Sequence, residues 1–227
     1  MLYSRRLFIF DLDGTLIDSR EDLSRAVNLA LSRLHLPPLD TEQVIGFVGD
    51  GVDNLMRRAL AQAGGRVADE PLVRRGVSLL LEEYGRHLLD ATRVYPGVVE
   101  ALDALWWARF AVVSNKPEHL SRRILQELGL AGRFCAILGG DSLPQRKPDP
   151  APLRRVMEIC GAAPGETVMV GDGTTDILAG KAAGVLTCGV GGGYRPPEVL
   201  LAAGCDLLIR AVAELPRHFA PPVSQPG

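Results

Sequence analysis

Six short apolar runs alternate with amphipathic helical stretches along this chain, and that alternation limits the fold more than any other feature. Strands separated by helices pair in parallel, and buried parallel strands are almost continuously apolar. The pattern therefore predicts an α/β protein with a Rossmann-like, three-layer core around a parallel sheet. The predicted strands are Leu7–Phe10, Phe110–Val113, Ala136–Leu138, Thr167–Val170, Leu186–Val190 and Leu207–Ile209.

A long helical insertion separates the first two predicted strands, which leaves 99 residues between Phe10 and Phe110. A parallel crossover needs only roughly a dozen residues. The periodicity of the insertion predicts a four-helix domain over the C-terminal edge of the sheet, where such sheets bind ligands. We expect a catalytic core formed by residues 1–16 and 93–216, a helical cap domain at 17–92, and a disordered tail at 217–227.

The first inserted helix carries a start signal. Ser19 is followed three residues later by Asp22, which resembles a capping box. We therefore expect the Ser19 side chain to accept a hydrogen bond from a backbone N–H in the first turn of that helix.

The composition excludes several kinds of protein. The chain has 27 acidic and 25 basic residues, so it lacks the charge expected for electrostatic binding to nucleic acid or membranes. Its four cysteines are far apart with no histidine at ligand spacing, which predicts buried free thiols rather than a zinc or iron–sulfur site. With no apolar run of membrane-spanning length and no secretory signal, we expect a cytoplasmic, reducing location.

The segment Asp11-Leu12-Asp13-Gly14-Thr15 directly follows the first predicted strand. Residues two apart in a strand point to the same side, so Asp11 and Asp13 are expected to project together. Two close carboxylates repel each other unless a cation lies between them or one holds a proton. An aspartate can also attack phosphorus and form an acyl phosphate.

Polar residues at later strand ends suit a phosphate group. Ser114 and Asn115 follow the second strand, and the Ser114 hydroxyl and Asn115 backbone N–H are candidate phosphate donors, although both residue types are also common in turns. Lys147 lies in a loop with several prolines, where a fixed ammonium would neutralise a phosphate. An exposed loop lysine is the alternative interpretation.

A second acidic motif, Gly171-Asp172 with Asp176 four residues later, follows another buried strand. Asp172 completes an oxygen cluster with Asp11 and Asp13 that suits Mg²⁺, a cation that prefers hard ligands. Asp176 would lie in the first turn of the next helix, where a carboxylate also stabilises the helix dipole. The sequence therefore predicts a magnesium site at the carboxyl edge of the sheet.

These four motifs, in their order and spacing, resemble those of the haloacid dehalogenase-like hydrolases over nearly the whole chain. Asp13 resembles the phosphatase branch of that family, and the inserted helices resemble the cap of its first cap subclass. Three stretches are similar to phosphoglycolate phosphatases in particular: Gly49-Asp50-Gly51, 112–117 and 192–197. Arg195, in the last of these, is expected to be an exposed loop residue.

The resemblance implies a role for each motif residue. Asp11 would be the nucleophile, and Asp13 would protonate the leaving alcohol and then activate water. Mg²⁺ would bind the carboxylates of Asp11 and Asp172 and the backbone carbonyl of Asp13, with Asp176 acting through water. Phosphate oxygens would be held by Gly14, Thr15, Ser114, Asn115 and Lys147, and the substrate would contact Gly49, Asp50 and Gly51.

We expect a Mg²⁺-dependent phosphomonoesterase, a monomer or homodimer, that acts on a small phosphorylated metabolite, with 2-phosphoglycolate the best single candidate. Phosphatases for other sugar, amino-sugar or nucleoside phosphates remain open, as does a sugar-phosphate mutase of the same fold. A signalling receiver domain would be about half as long and would have no use for Asp13. An inactive scaffold is disfavoured because all the expected catalytic side chains are present.

Overall fold

A computed structural model describes residues 2–65 and 67–222 of the chain. Its strands are β1 Tyr3–Ser4, β2 Leu7–Phe10, β3 Ile17–Asp18, β4 Arg93–Val94, β5 Arg109–Val113, β6 Phe134–Leu138, β7 Thr167–Gly171, β8 Leu186–Val190, β9 Leu207–Ile209 and β10 Phe219–Ala220. Its α-helices are α1 Arg20–Arg33, α2 Thr41–Gly46, α3 Val52–Gly64, α4 Glu70–Arg86, α5 Val98–Ala104, α6 Glu118–Glu127, α7 Ala151–Cys160, α8 Thr174–Ala183 and α9 Pro197–Ala202.

The core of the fold is a parallel sheet of six strands in the order β6-β5-β2-β7-β8-β9. All six predicted strands belong to it, so the α/β prediction is confirmed. Strand β2 lies between β5 and β7 and is fully buried along its length. Because the chain order reverses on either side of β2, the residues that follow this strand lie where open α/β sheets bind ligands.

The sheet is covered on both faces, as a buried parallel sheet requires. Successive side chains of β2 alternate between two apolar clusters. Phe8 and Phe10 pack in the cluster that contains α5 and α6, whereas Leu7 and Ile9 pack with α7 and α8. The predicted three-layer arrangement is therefore present.

Four helices, α1 to α4, are inserted between β3 and β4, which pair in antiparallel orientation at the base of the insertion. Helix α1 packs against α2, α3 and α4, and α3 packs against α4. The apolar sides of these helices belong to the same cluster as Phe8 and Phe10. The insertion is therefore anchored to the core, and its limits at residues 17 and 92 stay a prediction.

The capping box predicted at Ser19 is wrong. The Ser19 side chain makes no hydrogen bond to the start of α1, and its Oγ instead donates to Asp13 Oδ1 at 2.5 Å. The Asp22 carboxylate accepts hydrogen bonds from the backbone N–H groups of Ala91 and Thr92. Ser19 and Asp22, which the local motif assigns to the start of α1, therefore bond to other parts of the chain.

Two of the four cysteines are paired, so the prediction of four free thiols is wrong for Cys135 and Cys160. These residues form a disulfide between β6 and the end of α7, at a sequence separation of 25. Cys188 is buried and Cys205 is partly buried, and both are free thiols. The cytoplasmic, reducing location stays a prediction.

The predicted disordered tail starts too early. Residues 212–217 form a 3₁₀ segment, and β10 follows and pairs with β1. Phe219 is buried and packs edge-on against Phe8, which explains why this end of the chain is ordered. Residues 223–227 lie outside the described residues. Among the helices that the structure describes, none has the length and apolar character needed to cross a membrane.

Candidate active site

A cavity lies at the carboxyl ends of the central strands, between the sheet and the inserted helices. Its polar floor comes from the loops that follow β2, β5 and β7. Its roof is largely apolar and comes from the insertion. Floor residues include Asp11, Asp13, Ser114, Asn115 and Asp172, and roof residues include Leu55, Leu80, Leu81 and Tyr84.

The backbone after β2 brings Asp11 and Asp13 into the same cavity, as the sequence predicts. The Asp11 N–H still donates to Val170 O at 2.9 Å, so Asp11 continues the strand pairing. The chain then turns at Gly14, which has a φ of +80°. A side chain at Gly14 would both strain this backbone and collide with the Asp172 carboxylate, so the turn requires glycine.

Three carboxylates converge beside this turn. One oxygen from each of Asp11, Asp172 and Asp176 lies within 4.8 Å of the other two. Asp172 Oδ1 accepts from Thr15 Oγ1 at 2.7 Å, and Asp172 Oδ2 accepts from the backbone N–H of Tyr194 at 2.8 Å. The Asp13 carboxylate lies outside this cluster, so its predicted part in metal binding rests on the backbone carbonyl alone.

The carboxylates of this cluster disfavour their own ionisation. Burial, together with the charge of Asp176, raises the pKa of Asp11 to about 8 and that of Asp172 to about 7. Such crowding of negative charge is what a hard divalent cation compensates. The donor set of buried carboxylates therefore fits a divalent metal ion.

Lys147 is the cation nearest to these acids and is almost completely buried. Its Nζ lies 2.6 Å from Asp176 Oδ1 and 3.0 Å from Asp11 Oδ1. These two carboxylates outweigh the opposing effect of burial and raise the pKa of Lys147 above its ordinary value. Asp176 Oδ2 also accepts from the N–H of Gly173 at 2.8 Å, so Asp176 caps α8 as well as pairing with Lys147.

Asp13 has a separate set of partners that the sequence analysis missed. Its Oδ1 accepts from Ser19 Oγ at 2.5 Å and from Lys116 Nζ at 2.7 Å. Lys116 Nζ also donates to the hydroxyl of Tyr84, on α4, at 2.6 Å. The one available signal was the position of Lys116, two residues after Ser114 at a strand end, which places both side chains near the same edge.

Ser114 and Asn115 are buried at the end of β5 and line the cavity. The Asn115 amide donates to the carbonyl oxygens of Gly49 and Lys147, both at 2.8 Å. The Asn115 side chain therefore joins the insertion to the Lys147 loop, and phosphate binding by its backbone N–H stays a prediction.

The three candidate specificity residues of the insertion differ in position. Gly49 and Gly51 line the cavity, whereas Asp50 pairs with Arg58 Nη2 at 2.5 Å and is not among the lining residues. The expectation of an exposed Arg195 is wrong. Arg195 lines the cavity and donates to the carbonyl oxygens of Ile45, Gly46 and Val48, at 2.6 to 3.3 Å.

We expect the metal-free protein to lose stability as the pH rises from about 4 to about 8. Asp11 and Asp172 have an ordinary pKa of 3.8 and a raised pKa when folded. In this range the folded chain holds protons that the unfolded chain has released, so the free energy of unfolding falls, by up to about 1.4 kcal/mol per pH unit for each proton. Thermal unfolding in chelator checks this, and a slope unchanged by Asp172→Asn would contradict it.

The parallel sheet, the acidic cavity at its carboxyl edge and the helical insertion above it define an α/β enzyme with a Rossmann-like core. The model of the haloacid dehalogenase-like hydrolase family matches residues 5–184, and the chain belongs to this family. The resemblance noted from the four motifs is thereby confirmed.

The relatives narrow the activity. The chain is 42% identical over 208 residues to a phosphoglycolate phosphatase of Chromobacterium violaceum, which covers 91% of this chain and 92% of that protein. It is 41% identical over 217 residues to a phosphoglycolate phosphatase of Neisseria meningitidis, and this match covers 93% of this chain and 92% of that protein. A crystal structure of a predicted phosphoglycolate phosphatase from Haemophilus somnus has a TM-score of 0.88 and 33% identity, covering 94% of this chain and 97% of that one. The protein is a phosphatase.

Proposed function

We propose that this phosphatase hydrolyses 2-phosphoglycolate to glycolate and phosphate, with Mg²⁺ as its cofactor and Asp11 as its nucleophile. The observation that carries the proposal is the separation of two aspartates in one cavity. Asp11 lies beside Lys147 and the acidic cluster, whereas Asp13 lies beside Ser19 and Lys116. The names of the relatives support 2-phosphoglycolate as the substrate.

In the first step, a carboxylate oxygen of Asp11 attacks phosphorus and the bond to the ester oxygen breaks. Asp13, in its protonated form, gives its proton to that oxygen, so the leaving oxygen becomes a neutral hydroxyl group. Lys147 and the backbone N–H of Asn115 neutralise the charge on the phosphoryl oxygens, with the Ser114 hydroxyl beside them. The backbone N–H groups of Gly14 and Thr15, which the sequence also assigned to phosphate, donate to Ile17 O at 2.9 Å and Leu12 O at 3.3 Å. The products of this step are an aspartyl phosphate on Asp11 and free glycolate.

In the second step, Asp13 removes a proton from water, which attacks the phosphorus of the aspartyl phosphate. The bond between phosphorus and the Asp11 oxygen breaks, which releases phosphate and restores the carboxylate. The Ser19 hydroxyl and the Lys116 ammonium fix the orientation of Asp13 for both proton transfers. One residue therefore acts as acid and then as base.

The cluster of three carboxylates supports Mg²⁺ as the ion, because Mg²⁺ prefers hard oxygen ligands. We propose that Asp11, Asp172 and the carbonyl of Asp13 hold the ion, and that Asp176 acts through water. When bound, the ion would neutralise charge on the phosphate and on the acidic cluster.

We propose that residues 17–92 act as a cap that excludes water from the cavity during the first step. The hydrogen bonds from Asn115 to Gly49 and from Arg195 to the end of α2 support this, because they join the core to the insertion. A closed apolar roof also strengthens the electrostatic contacts beneath it.

A panel of phosphomonoesters tests the proposal. We expect phosphate release from 2-phosphoglycolate that requires Mg²⁺ and exceeds release from glucose 1- and 6-phosphates, an amino-sugar 6-phosphate and nucleoside monophosphates. A preference for a sugar or nucleoside phosphate would contradict 2-phosphoglycolate as the substrate but would still support phosphomonoester hydrolysis. Conversion of glucose 1-phosphate into glucose 6-phosphate would identify a mutase and contradict the proposal.

A further inference from the structure

Lys116 is a buried lysine that touches both halves of the cavity. It is 8% exposed, lines the cavity, and contacts Asp13 of the core and Tyr84 of the insertion. Its ammonium also lies 4.7 Å from the centre of the Tyr84 ring. A buried ammonium is costly unless its charge is compensated, so this position needs an explanation beyond packing.

The choice of lysine at this position is informative. Only three of the 25 basic residues are lysines, namely Lys116, Lys147 and Lys181. Lys116 and Lys147 are buried, and they contact different aspartates of the cavity. Lys147 contacts Asp11, which receives the phosphoryl group, whereas Lys116 contacts Asp13, which faces the leaving oxygen.

The ammonium of Lys116 has bonding capacity left for a ligand. An ammonium has three hydrogens to donate, and two of them are directed at Asp13 Oδ1 and the Tyr84 hydroxyl. Within residues 2–65 and 67–222, no protein acceptor takes the third. The Tyr84 hydroxyl accepts from Lys116 and still has its own hydrogen to donate.

The surroundings make this pair selective. The nearby walls are formed by apolar side chains, among them Leu23, Leu55, Leu80 and Leu120. An anionic group of a ligand in such walls needs a cation as partner, because unpaired charge is strongly disfavoured there. Lys116 supplies that cation on the leaving-group side of the cavity.

We propose that Lys116 and Tyr84 together bind the carboxylate of the leaving group and so select an ester that carries a second anion one carbon from the ester oxygen. This proposal rests on the proposed function, since it assigns a specificity-determining contact for the same reaction. Asp13 must reach the ester oxygen to protonate it. A carboxylate one methylene farther along the substrate then lies beside the ammonium that contacts Asp13.

The test compares two esters in each enzyme variant. 2-Hydroxyethyl phosphate replaces the carboxylate of 2-phosphoglycolate by a neutral CH₂OH group and keeps the rest of the ester. In Lys116→Met we expect the ratio of kcat/KM for 2-phosphoglycolate to kcat/KM for 2-hydroxyethyl phosphate to fall about 10- to 100-fold. Any effect through Asp13 alone changes both esters equally and cancels in this ratio.

Two further variants complete the design. Tyr84→Phe keeps the ring and removes the hydroxyl, so the same ratio should fall about 3- to 10-fold, mainly through KM for 2-phosphoglycolate. Lys181→Met removes the exposed lysine at the end of α8 and should leave the ratio unchanged. If Lys116→Met is inactive on both esters, the ratio measured in Tyr84→Phe is the test of the proposed carboxylate contact.

The outcomes separate this inference from the proposed function. If the wild-type enzyme hydrolyses 2-phosphoglycolate but the ratio is the same in Lys116→Met or, failing that, in Tyr84→Phe, the inference is overturned and the function stands. If the wild-type enzyme hydrolyses other esters but not 2-phosphoglycolate, the proposed substrate is wrong, and the inference is overturned as well. A fall in the ratio supports both.

Discussion

Asp11→Asn should abolish phosphate release from 2-phosphoglycolate, with a loss on the order of 10⁵-fold or more, as for loss of other covalent nucleophiles. The amide has nearly the same shape as the carboxylate but cannot form an acyl phosphate. The Asp11 side chain is 15% exposed in the cavity and contacts Lys147, so it lies where a phosphate would meet both groups. Steady-state release of phosphate in the presence of Mg²⁺ measures this loss.

The stability of Asp11→Asn separates chemistry from unfolding. Burial and the Asp176 charge raise the pKa of Asp11 to about 8. Above that pH, the ionised Asp11 carboxylate therefore lowers the free energy of unfolding of the metal-free protein. Removing this charge should leave the melting temperature in chelator at pH 9 unchanged or higher. A variant that is inactive and also melts much earlier would not support a nucleophile.

Asp13→Asn is the matched control, because it removes the acid and base but keeps the nucleophile. Turnover of 2-phosphoglycolate should fall about 10²- to 10⁴-fold. With p-nitrophenyl phosphate, whose leaving group needs no proton, the phosphoenzyme should still form and should then accumulate. An acid quench traps this species, and its formation in Asp11→Asn, or its failure to form in Asp13→Asn, would contradict the assigned roles.

The sheet and the acidic motifs were predictable because their signals are local. An apolar run such as Leu7–Phe10 buries itself on both faces, and the acid that follows it must lie at the strand end. The same holds for Asp172 after β7. Because β2 and β7 are adjacent and parallel, their carboxyl ends meet, and this brings Asp11 close to Asp172.

The contacts that Ser19 and Tyr84 make with Asp13 and Lys116 were not predictable, because they depend on how the insertion sits on the core. Ser19 fits a capping box equally well, and only the position of Asp13 decides that its hydroxyl turns to the cavity. Tyr84 reaches Lys116 from α4, across 32 residues of sequence. No periodicity or motif in either segment encodes that contact.

The partners of Asp50 and Cys135 were not predictable for the same reason. A carboxylate in a short loop bonds to whichever cation the fold brings near it, and here this is Arg58 on the following helix. The pairing of Cys135 with Cys160 follows from the packing of β6 beside the end of α7, which spacing alone does not reveal. The positions of the charged residues near the site were predictable from the sequence, whereas their bonding partners depend on tertiary packing.

Lys147→Met should destabilise the metal-free protein by about 3–5 kcal/mol at pH 8, because it leaves buried carboxylates without their cation. Lys147 is almost completely buried and contacts Asp11 and Asp176. At pH 5 the loss should be smaller, since Asp11 and Asp172, with a pKa of about 8 and about 7, then hold protons and need less compensation. Urea unfolding at both pH values measures the difference.

The exposed Lys181→Met is the control for this substitution and should change stability little at either pH. In the presence of Mg²⁺, Lys147→Met should regain part of its stability at pH 8, because Mg²⁺ compensates the same carboxylates. Turnover should stay about 10²- to 10³-fold below that of the wild type, because no ammonium neutralises the phosphate. An equal loss of stability at pH 5 and pH 8 would mean that the packing of the Lys147 stem, rather than its charge, stabilises the site.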